Sequence, residues 1–306
     1  MRMACPFTVG DVERADRAQI TPRIYANATF EGIRALRVFS EVPLRGVLQG
    51  LIATTERERA VLRLYYRLAA YLATVYRLDS PIHVQSIAGA ARSAFELALD
   101  LALIHADTTT ESVDRLNAFT RVERYRVAHR LVAFYANRPL PADFNITEQR
   151  RVCADATETA AVEALVTQHW GRRQNGDLNW PTHWSRFRDA RARARHVAES
   201  WEERYVRYYS ILSWHIHSGV VGVAGLAQEL FDVFVADAHR LVRDSVIDAY
   251  GILGDELHLA QAMDRWGEAL QFLSNVSGVT LVDLRLQTLG EPSRFQYLEE
   301  HEQSVV

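Results

Sequence analysis

The chain has 306 residues, of which 48% are hydrophobic, and its formal net charge at pH 7 is −3. This length and composition can bury a packed core, and the small negative charge provides no overall basic field of the kind that attracts nucleic acid. All 35 basic residues are arginine, which excludes Schiff-base, pyridoxal-phosphate and P-loop lysine chemistry.

Two cysteines, Cys5 and Cys153, are too few for a disulfide scaffold or a zinc finger. Residues 1–11 hold no apolar run that could serve as a signal peptide, and no stretch reaches about 18 uncharged apolar residues, as a membrane-spanning helix requires. We therefore expect a cytoplasmic protein that does not enter a membrane. The sequence lacks the HExxH, Glu-x-x-His, CxxC, GxGxxG and Gly-x-Ser-x-Gly motifs, so we expect no metal and no other cofactor.

Eight prolines and fifteen glycines are few for this length, and long apolar segments repeat at helical spacing. Together these features predict an all-α protein, built as an up-down helical bundle with peripheral helices. Residues 1–26 are predicted to be irregular and residues 28–53 to form short helices, so that 1–53 constitute an N-terminal arm.

The first long helix is predicted to begin after Thr54 or Thr55, because either can cap it and glutamates follow in the first turn, where the helix dipole favours acids. Asp79-Ser80-Pro81 ends this helix and begins the next, since a serine N-cap followed by proline is a strong start signal. The second helix runs to about Ala106. Its alanine- and leucine-rich sequence predicts a central, buried position.

The bundle core is predicted to span 54–253. Its remaining helices are expected at 111–136, at 147–170, at 185–196, from Ser200 to about His217, and from Val220 to about Leu253. Residues 171–184 combine Gly, Asn, Asp and Pro, which predicts a loop. Residues 254–306 are predicted to form a C-terminal helix and tail, with Gly254-Asp255 capping a helix at 256–272 and a short strand at Val279–Leu286.

Arg92, Glu96 and Asp100 lie at spacings of four on the second helix, so they share one of its faces. Charges inside such an apolar helix cost free energy unless they are paired, which makes these residues candidates for a buried polar site. The alternative is an exposed stripe of ion pairs, because arginine–glutamate pairs at this spacing are common.

Tyr205, Tyr209, Ser213 and His217 also recur at spacings of four and form a stripe of proton donors and acceptors on one helix face. His215 is two residues from His217 and points away from the stripe, so the two histidines do not form a chelating pair. The alternative is structural: Ser213 bonds to a backbone carbonyl, His217 stabilises the helix end through the dipole, and the tyrosines pack.

A basic face on the helix at 111–136 carries Arg124, Arg126 and Arg130. Arg124 and His129 have the spacing of the arginine and histidine in HEPN nucleases, but a chain with 35 arginines and 11 histidines contains such spacings by chance. A solvated face without a binding partner is the alternative.

The order of these motifs resembles a bacterial family of unknown function, domain-of-unknown-function family five-six-seven-seven. The resemblance spans about residues 55–250 and rests on six positions: Arg92, Glu96, the loop with Trp180, Tyr209, Ser213 and His217. That family is helical and is similar to HEPN-type domains that cleave or bind RNA.

The resemblance implies a metal-independent ribonuclease acting on RNA phosphodiesters. His217 would act as general base or acid on the ribose 2′-hydroxyl, and Arg92 would hold the phosphate. Glu96 would orient one of these two, and Ser213 and Tyr209 would donate hydrogen bonds. A homodimer is implied as well, because HEPN sites commonly form between subunits.

RNA binding would extend to the basic face and to two further neighbours of the catalytic residues. The predicted binding residues are Arg124, Arg126, Arg130, Tyr205 and Asp100. Two other functions remain open on the same residues. The polar residues could form a buried network that fixes helix register in a non-catalytic interaction module, or Arg92 could bind a small anionic ligand in a sensor.

Overall fold

A computed structural model describes residues 6–78, 80, 83–216, 228–263 and 266–294. Every regular element in these ranges is a helix, which confirms the all-α prediction. None of the described helices is both long enough and apolar enough to cross a membrane. The chain divides into a larger unit, Met1–Ala106 with Arg193–Val306, and a smaller unit, Asp107–Ala192. The predicted limits at 53/54 and 253/254 are not boundaries of this division.

The N-terminal residues of the larger unit are more helical than the sequence predicted. Helix α1 spans Val9–Ala15 behind a capping box made by Thr8, and α2 spans Pro22–Phe39. The irregular arm predicted at 1–26 is wrong where α1 and α2 form, and α2 is longer than the short helices predicted at 28–53. Pro22 occupies the start of a helix, where its missing N–H is harmless, rather than a loop.

A π-helical turn, Ser40–Leu44, follows α2 and leads into the short helix α3, Arg45–Gln49. Pro43 lies inside this turn. Proline cannot donate the helical hydrogen bond and clashes with the preceding turn, so a widened turn is a physical way to continue the helix past it.

Helices α4, Glu56–Arg77, and α5, Val84–Ala106, confirm the two long helices of the prediction. Thr55 is the N-cap of α4 and forms a capping box with Glu58. Helix α5 begins three residues after the predicted position at Pro81, and Asp79, Pro81 and Ile82 lie outside the described residues.

The segment predicted as one helix from Ser200 to His217 is interrupted. Helix α9 spans Ala190–Val197, starting later than the predicted 185, and the next helix in the chain, α10, spans Glu199–Arg204. A second π-helical turn, Tyr205–Tyr209, joins α10 to α11, Ser210–Ile216.

The C-terminal residues also differ from prediction. Helix α12, Gln228–Glu256, continues through Gly254, so Gly254-Asp255 is not a helix start. A short helix α13, Leu259–Ala262, precedes α14, Trp266–Thr288, which replaces the strand predicted at Val279–Leu286. Buried residues of α14 recur three or four apart, so this β-branched sequence is helical because one of its faces is buried.

Helix α5 is the centre of the larger unit, as predicted. It packs against α4, α11 and α12, while α2 packs against α4, α12 and α14. Phe95 and Leu99 of α5 are fully buried. Polar side chains on the α11-facing side of α5 therefore lie beside the core rather than on a free surface.

The smaller unit contains α6, Glu111–Phe134, α7, Thr147–Ala154, and α8, Ala156–Trp170. The single helix predicted at 147–170 is two helices, because the side chain of Asp155 accepts hydrogen bonds from the first backbone N–H groups of α8 and starts a new helix. Residues 171–184 form the predicted loop, with one isolated bridge between Arg172 and Leu178.

Candidate functional site

A polar cluster joins α5 to the π-helical turn between α10 and α11. The Tyr209 hydroxyl donates to Glu96 Oε1 at 2.5 Å and accepts from Arg92 Nη2 at 2.9 Å. Tyr209 is 6% exposed, and its ring lies 5.4 Å from that of Phe95. Two of the sequence-predicted stripes therefore meet, and one phenol oxygen connects the arginine of α5 to its glutamate.

The cluster includes an arginine that the sequence did not predict. Arg193 of α9 donates from Nη2 to Glu96 Oε2 and from Nη1 to Asp100 Oδ1, each at 3.1 Å. Its side chain is 5% exposed, against 37% for Glu96 and 12% for Asp100. A charge buried to this extent requires charged partners. Arg193 finds two on the same face of α5.

Arg92 is the cation of the cluster that has no acid partner within the part of the chain that the structure describes. It forms a hydrogen bond to the Tyr209 hydroxyl, and its guanidinium carbon lies 4.5 Å from the centre of the Tyr209 ring. Its Nε–H is buried and donates to no acceptor among the described residues. A buried donor without an acceptor is uncommon in folded proteins.

Burial, the hydrogen bond to Glu96 and the charge of Glu96 raise the pKa of Tyr209 to about 12, although Arg92 opposes the rise. The phenol therefore stays protonated near neutral pH. It can donate a hydrogen bond, but it is not a general base. Within the cluster this proton is donated to Glu96, and the role of donating to a substrate stays a prediction.

Tyr205 lies in the same π-helical turn, and its ring stacks on that of Tyr209 with centroids 4.9 Å apart and planes at 24°. Tyr205 is partly exposed.

Ser213 does not reach the cluster through its hydroxyl, which donates to the backbone carbonyl of Tyr209 at 3.0 Å. This is the structural alternative that the sequence left open. His217, the predicted general base or acid, lies outside the described residues. The structure thus brings together Arg92, Glu96, Asp100 and Tyr209, with Tyr205 stacked beside them.

The predicted basic face lies on α6, in the smaller unit. Arg126 donates to Glu123 and to the carbonyl of Pro181, each at 2.5 Å, and Arg130 lies 3.8 Å from the same glutamate. Arg124 is exposed. A shared glutamate lowers the positive charge that this face presents to a phosphate backbone.

Trp180, part of the loop on which the family resemblance rests, belongs to the core of the smaller unit. Its ring stacks on that of Tyr125, with centroids 6.1 Å apart. Four buried residues form that core: Val122, Tyr125, Val162 and Val166.

Among the described side chains, no group of three or more His, Cys, Asp or Glu residues is arranged to hold a metal ion. No family model, curated protein or solved structure matches the chain. The resemblance to domain-of-unknown-function family five-six-seven-seven therefore stays a prediction from the motifs.

Proposed function

We propose that this protein binds the phosphate of RNA at Arg92 and cleaves the adjoining phosphodiester without a metal ion, as a HEPN-like ribonuclease. The observation that carries the proposal is the pairing of charges within the cluster. Glu96 and Asp100 are both bound by Arg193, whereas Arg92 has no carboxylate partner within the described part of the chain. An arginine in this position can give a phosphate a charge-assisted hydrogen bond.

The proposed reaction is an internal transfer. His217 removes the proton of the ribose 2′-hydroxyl, whose oxygen attacks phosphorus while the bond to the 5′-oxygen breaks. The products are a 2′,3′-cyclic phosphate and a 5′-hydroxyl that receives a proton. Arg92 stabilises the extra negative charge on the phosphoryl oxygens in the transition state. Tyr209 holds Arg92 in position through a hydrogen bond, and Glu96 in turn holds Tyr209. Tyr205 and Asp100 lie beside these residues.

The test is cleavage of end-labelled single-stranded RNA by the purified full chain in EDTA. We expect cleavage by the wild type and its loss in His217→Ala, with unchanged circular dichroism. His215→Ala is the matched control, because the sequence places His215 on another side of the same helix. Arg92→Ala should reduce the cleavage rate by about 10²-fold or more, the usual effect of removing one oxyanion-stabilising donor.

Intact cleavage by His217→Ala, or its equal loss in His215→Ala, would contradict the proposed reaction. The implied homodimer has a separate measurement, the molecular mass in solution by light scattering. A monomer that cleaves RNA would remove the dimer from the proposal and leave the chemistry standing.

A second candidate function, a non-catalytic interaction module, is favoured by one specific observation. The Ser213 hydroxyl is bound to the backbone, and the chain Arg92–Tyr209–Glu96–Arg193–Asp100 links three segments of the fold. Such a network can serve to fix helix register. In that case Arg92→Ala and Glu96→Ala each lower the melting temperature strongly, and the wild type leaves RNA intact.

A further inference from the structure

The two arginines of the polar cluster have different surroundings. Arg193 is almost fully buried and binds Glu96 and Asp100, while Arg92 is partly exposed and binds only the Tyr209 hydroxyl among the described residues. The cluster contains two cations and two anions. Both carboxylates nevertheless pair with Arg193, and neither pairs with Arg92.

Arg92 has an alternative partner within reach. Arg92 and Glu96 are four residues apart on α5, a spacing at which arginine and glutamate side chains meet. In the structure both are bound to the same oxygen of Tyr209. In the structure each Glu96 oxygen already accepts one hydrogen bond, Oε1 from Tyr209 and Oε2 from Arg193, and the ion pair with Arg193 compensates the charge of this carboxylate.

We propose that Arg193 is a positioning residue that keeps Arg92 available for a phosphate by occupying Glu96. This inference rests on the proposed function, since it concerns the same phosphate site. When Arg193 is absent, the carboxylate of Glu96 takes Arg92 as its partner. The phosphate then has to compete with an ion pair inside the protein, and it binds more weakly.

If Arg193 serves only to stabilise the fold, a different result is expected. Asp100 is 12% exposed and is bound by Arg193, so removal of Arg193 leaves a largely buried carboxylate without its cation. That loss destabilises the fold whatever happens at Glu96. The effects of removing Arg193 on the melting temperature and on phosphate binding can therefore be measured separately. The melting temperature depends on the pairing of Arg193 with Asp100, and phosphate binding depends on its pairing with Glu96.

The experiment measures binding of a short fluorescent 2′-O-methyl RNA, which cannot be cleaved through its blocked 2′-oxygen, by anisotropy at low salt. The variants are Arg193→Gln and the double variant Arg193→Gln/Glu96→Gln. Arg195→Gln is the matched control, because Arg195 lies on the same helix and is 64% exposed in its pair with Glu202. Circular dichroism at the assay temperature establishes that each variant is folded.

We expect Arg193→Gln to weaken binding by about tenfold or more, the effect of losing one hydrogen bond between charged groups, while Arg195→Gln binds like the wild type. Arg193→Gln/Glu96→Gln should regain most of the affinity, because the competing carboxylate has been neutralised. Its melting temperature should stay low, since Asp100 remains without its cation.

Wild-type binding by folded Arg193→Gln would overturn the inference and leave the proposed function intact. Affinity that follows the melting temperature through all variants, with no recovery in the double variant, would reduce Arg193 to a structural residue. A wild type that neither binds this RNA nor cleaves the unmodified one would overturn the proposed function itself, and the inference with it.

Discussion

A change from about pH 7.5 to about pH 5 should alter the stability of the larger unit through His239 of α12. His239 is 1% exposed, and its Nδ1 lies 3.2 Å from the Thr29 hydroxyl. That hydroxyl donates to the carbonyl of Ala26 at 2.9 Å, which allows its oxygen to accept from the ring when the proton is on Nδ1. Nε2 is buried and has no partner among the described residues. Burial lowers the pKa of His239 from 6.5 to about 4.

The sign follows from the direction of this shift. Between pH 6.5 and about 4 the unfolded chain binds a proton at His239 that the folded chain does not. Stability from this residue is therefore fully present above pH 6.5 and is lost as the pH falls towards 4. The shift corresponds to a maximum of about 3 kcal/mol, of which about 2 kcal/mol is lost by pH 5.

Asp237, on the same helix, has the opposite effect. Burial raises its pKa from 3.8 to about 6, although Arg207 opposes the rise. Its ionised form is therefore disfavoured in the folded state, and protonation stabilises the fold as the pH falls from 6 towards 3.8. Between pH 7.5 and pH 5 the gain is at most about 1 kcal/mol, and solvent screening lowers it because the side chain is 21% exposed. In the wild type the two effects partly cancel.

The assay is urea unfolding at both pH values for the wild type, His239→Asn and Asp237→Asn. Asparagine at 239 can still donate to Thr29. Each variant is compared with itself at the two pH values, so any effect of the substitution on packing that does not depend on pH cancels. Asp237→Asn should lose about 1 kcal/mol more than the wild type on acidification, and His239→Asn about 2 kcal/mol less. His169 of the smaller unit also has a lowered pKa, but it contributes equally to all three proteins. An equal pH response in His239→Asn and the wild type would falsify the argument.

Four further variants test helix packing, a helix cap and the polar cluster by urea unfolding at neutral pH. A Cβ at Gly254 would lie 2.5 Å from Trp266 Nε1, so Gly254→Ala should destabilise the protein by up to about 2 kcal/mol. Gly251→Ala, on the same helix, is the control. Its Cβ meets nothing within 4 Å, so it should be neutral or stabilising by up to about 1 kcal/mol. Thr55→Ala removes the capping box of α4 and should cost about 1 kcal/mol, whereas a change below about 0.3 kcal/mol would mean that the cap contributes little. Tyr209→Phe keeps the ring but removes the hydroxyl between Arg92 and Glu96, so a loss of about 1–3 kcal/mol is expected and an unchanged stability would show that the bridge is unimportant to the fold.

Local signals in the sequence predicted much of the helical structure. Thr55 and the glutamates after it located the start of α4, and the apolar content of α5 correctly predicted its central position. The errors arose where a tertiary contact decides the local structure. Gly254 reads as a helix end, yet it lies inside α12 because the Trp266 ring packs where a side chain would be. Val279–Leu286 reads as a strand and is helical because α2 and α12 pack against α14.

The candidate site was predictable only in part, for a related reason. Helical spacing put Arg92, Glu96 and Asp100 on one face, but it left open whether that face meets the stripe with Tyr209, as it does in the structure. Arg193 follows from no spacing rule, since it is 97 residues from Glu96 in a segment with many arginines. The signal that could have found it is charge balance: a buried face with two acids and one arginine requires a second cation.

The π-helical turn at Tyr205–Tyr209 bears on which function the cluster serves. An uninterrupted α-helix is the more stable path for this segment, and it contains no proline, unlike the π-helical turn at Ser40–Leu44. The turn must therefore be maintained by contacts, and the bonds of Tyr209 to Arg92 and Glu96 supply them. A polar network that served only to stabilise packing could form on a regular α-helix with a different side chain in place of Tyr209. Such turns occur frequently at functional sites, and a turn whose two end residues are Tyr205 and Tyr209 favours a ligand at Arg92 over a purely structural cluster.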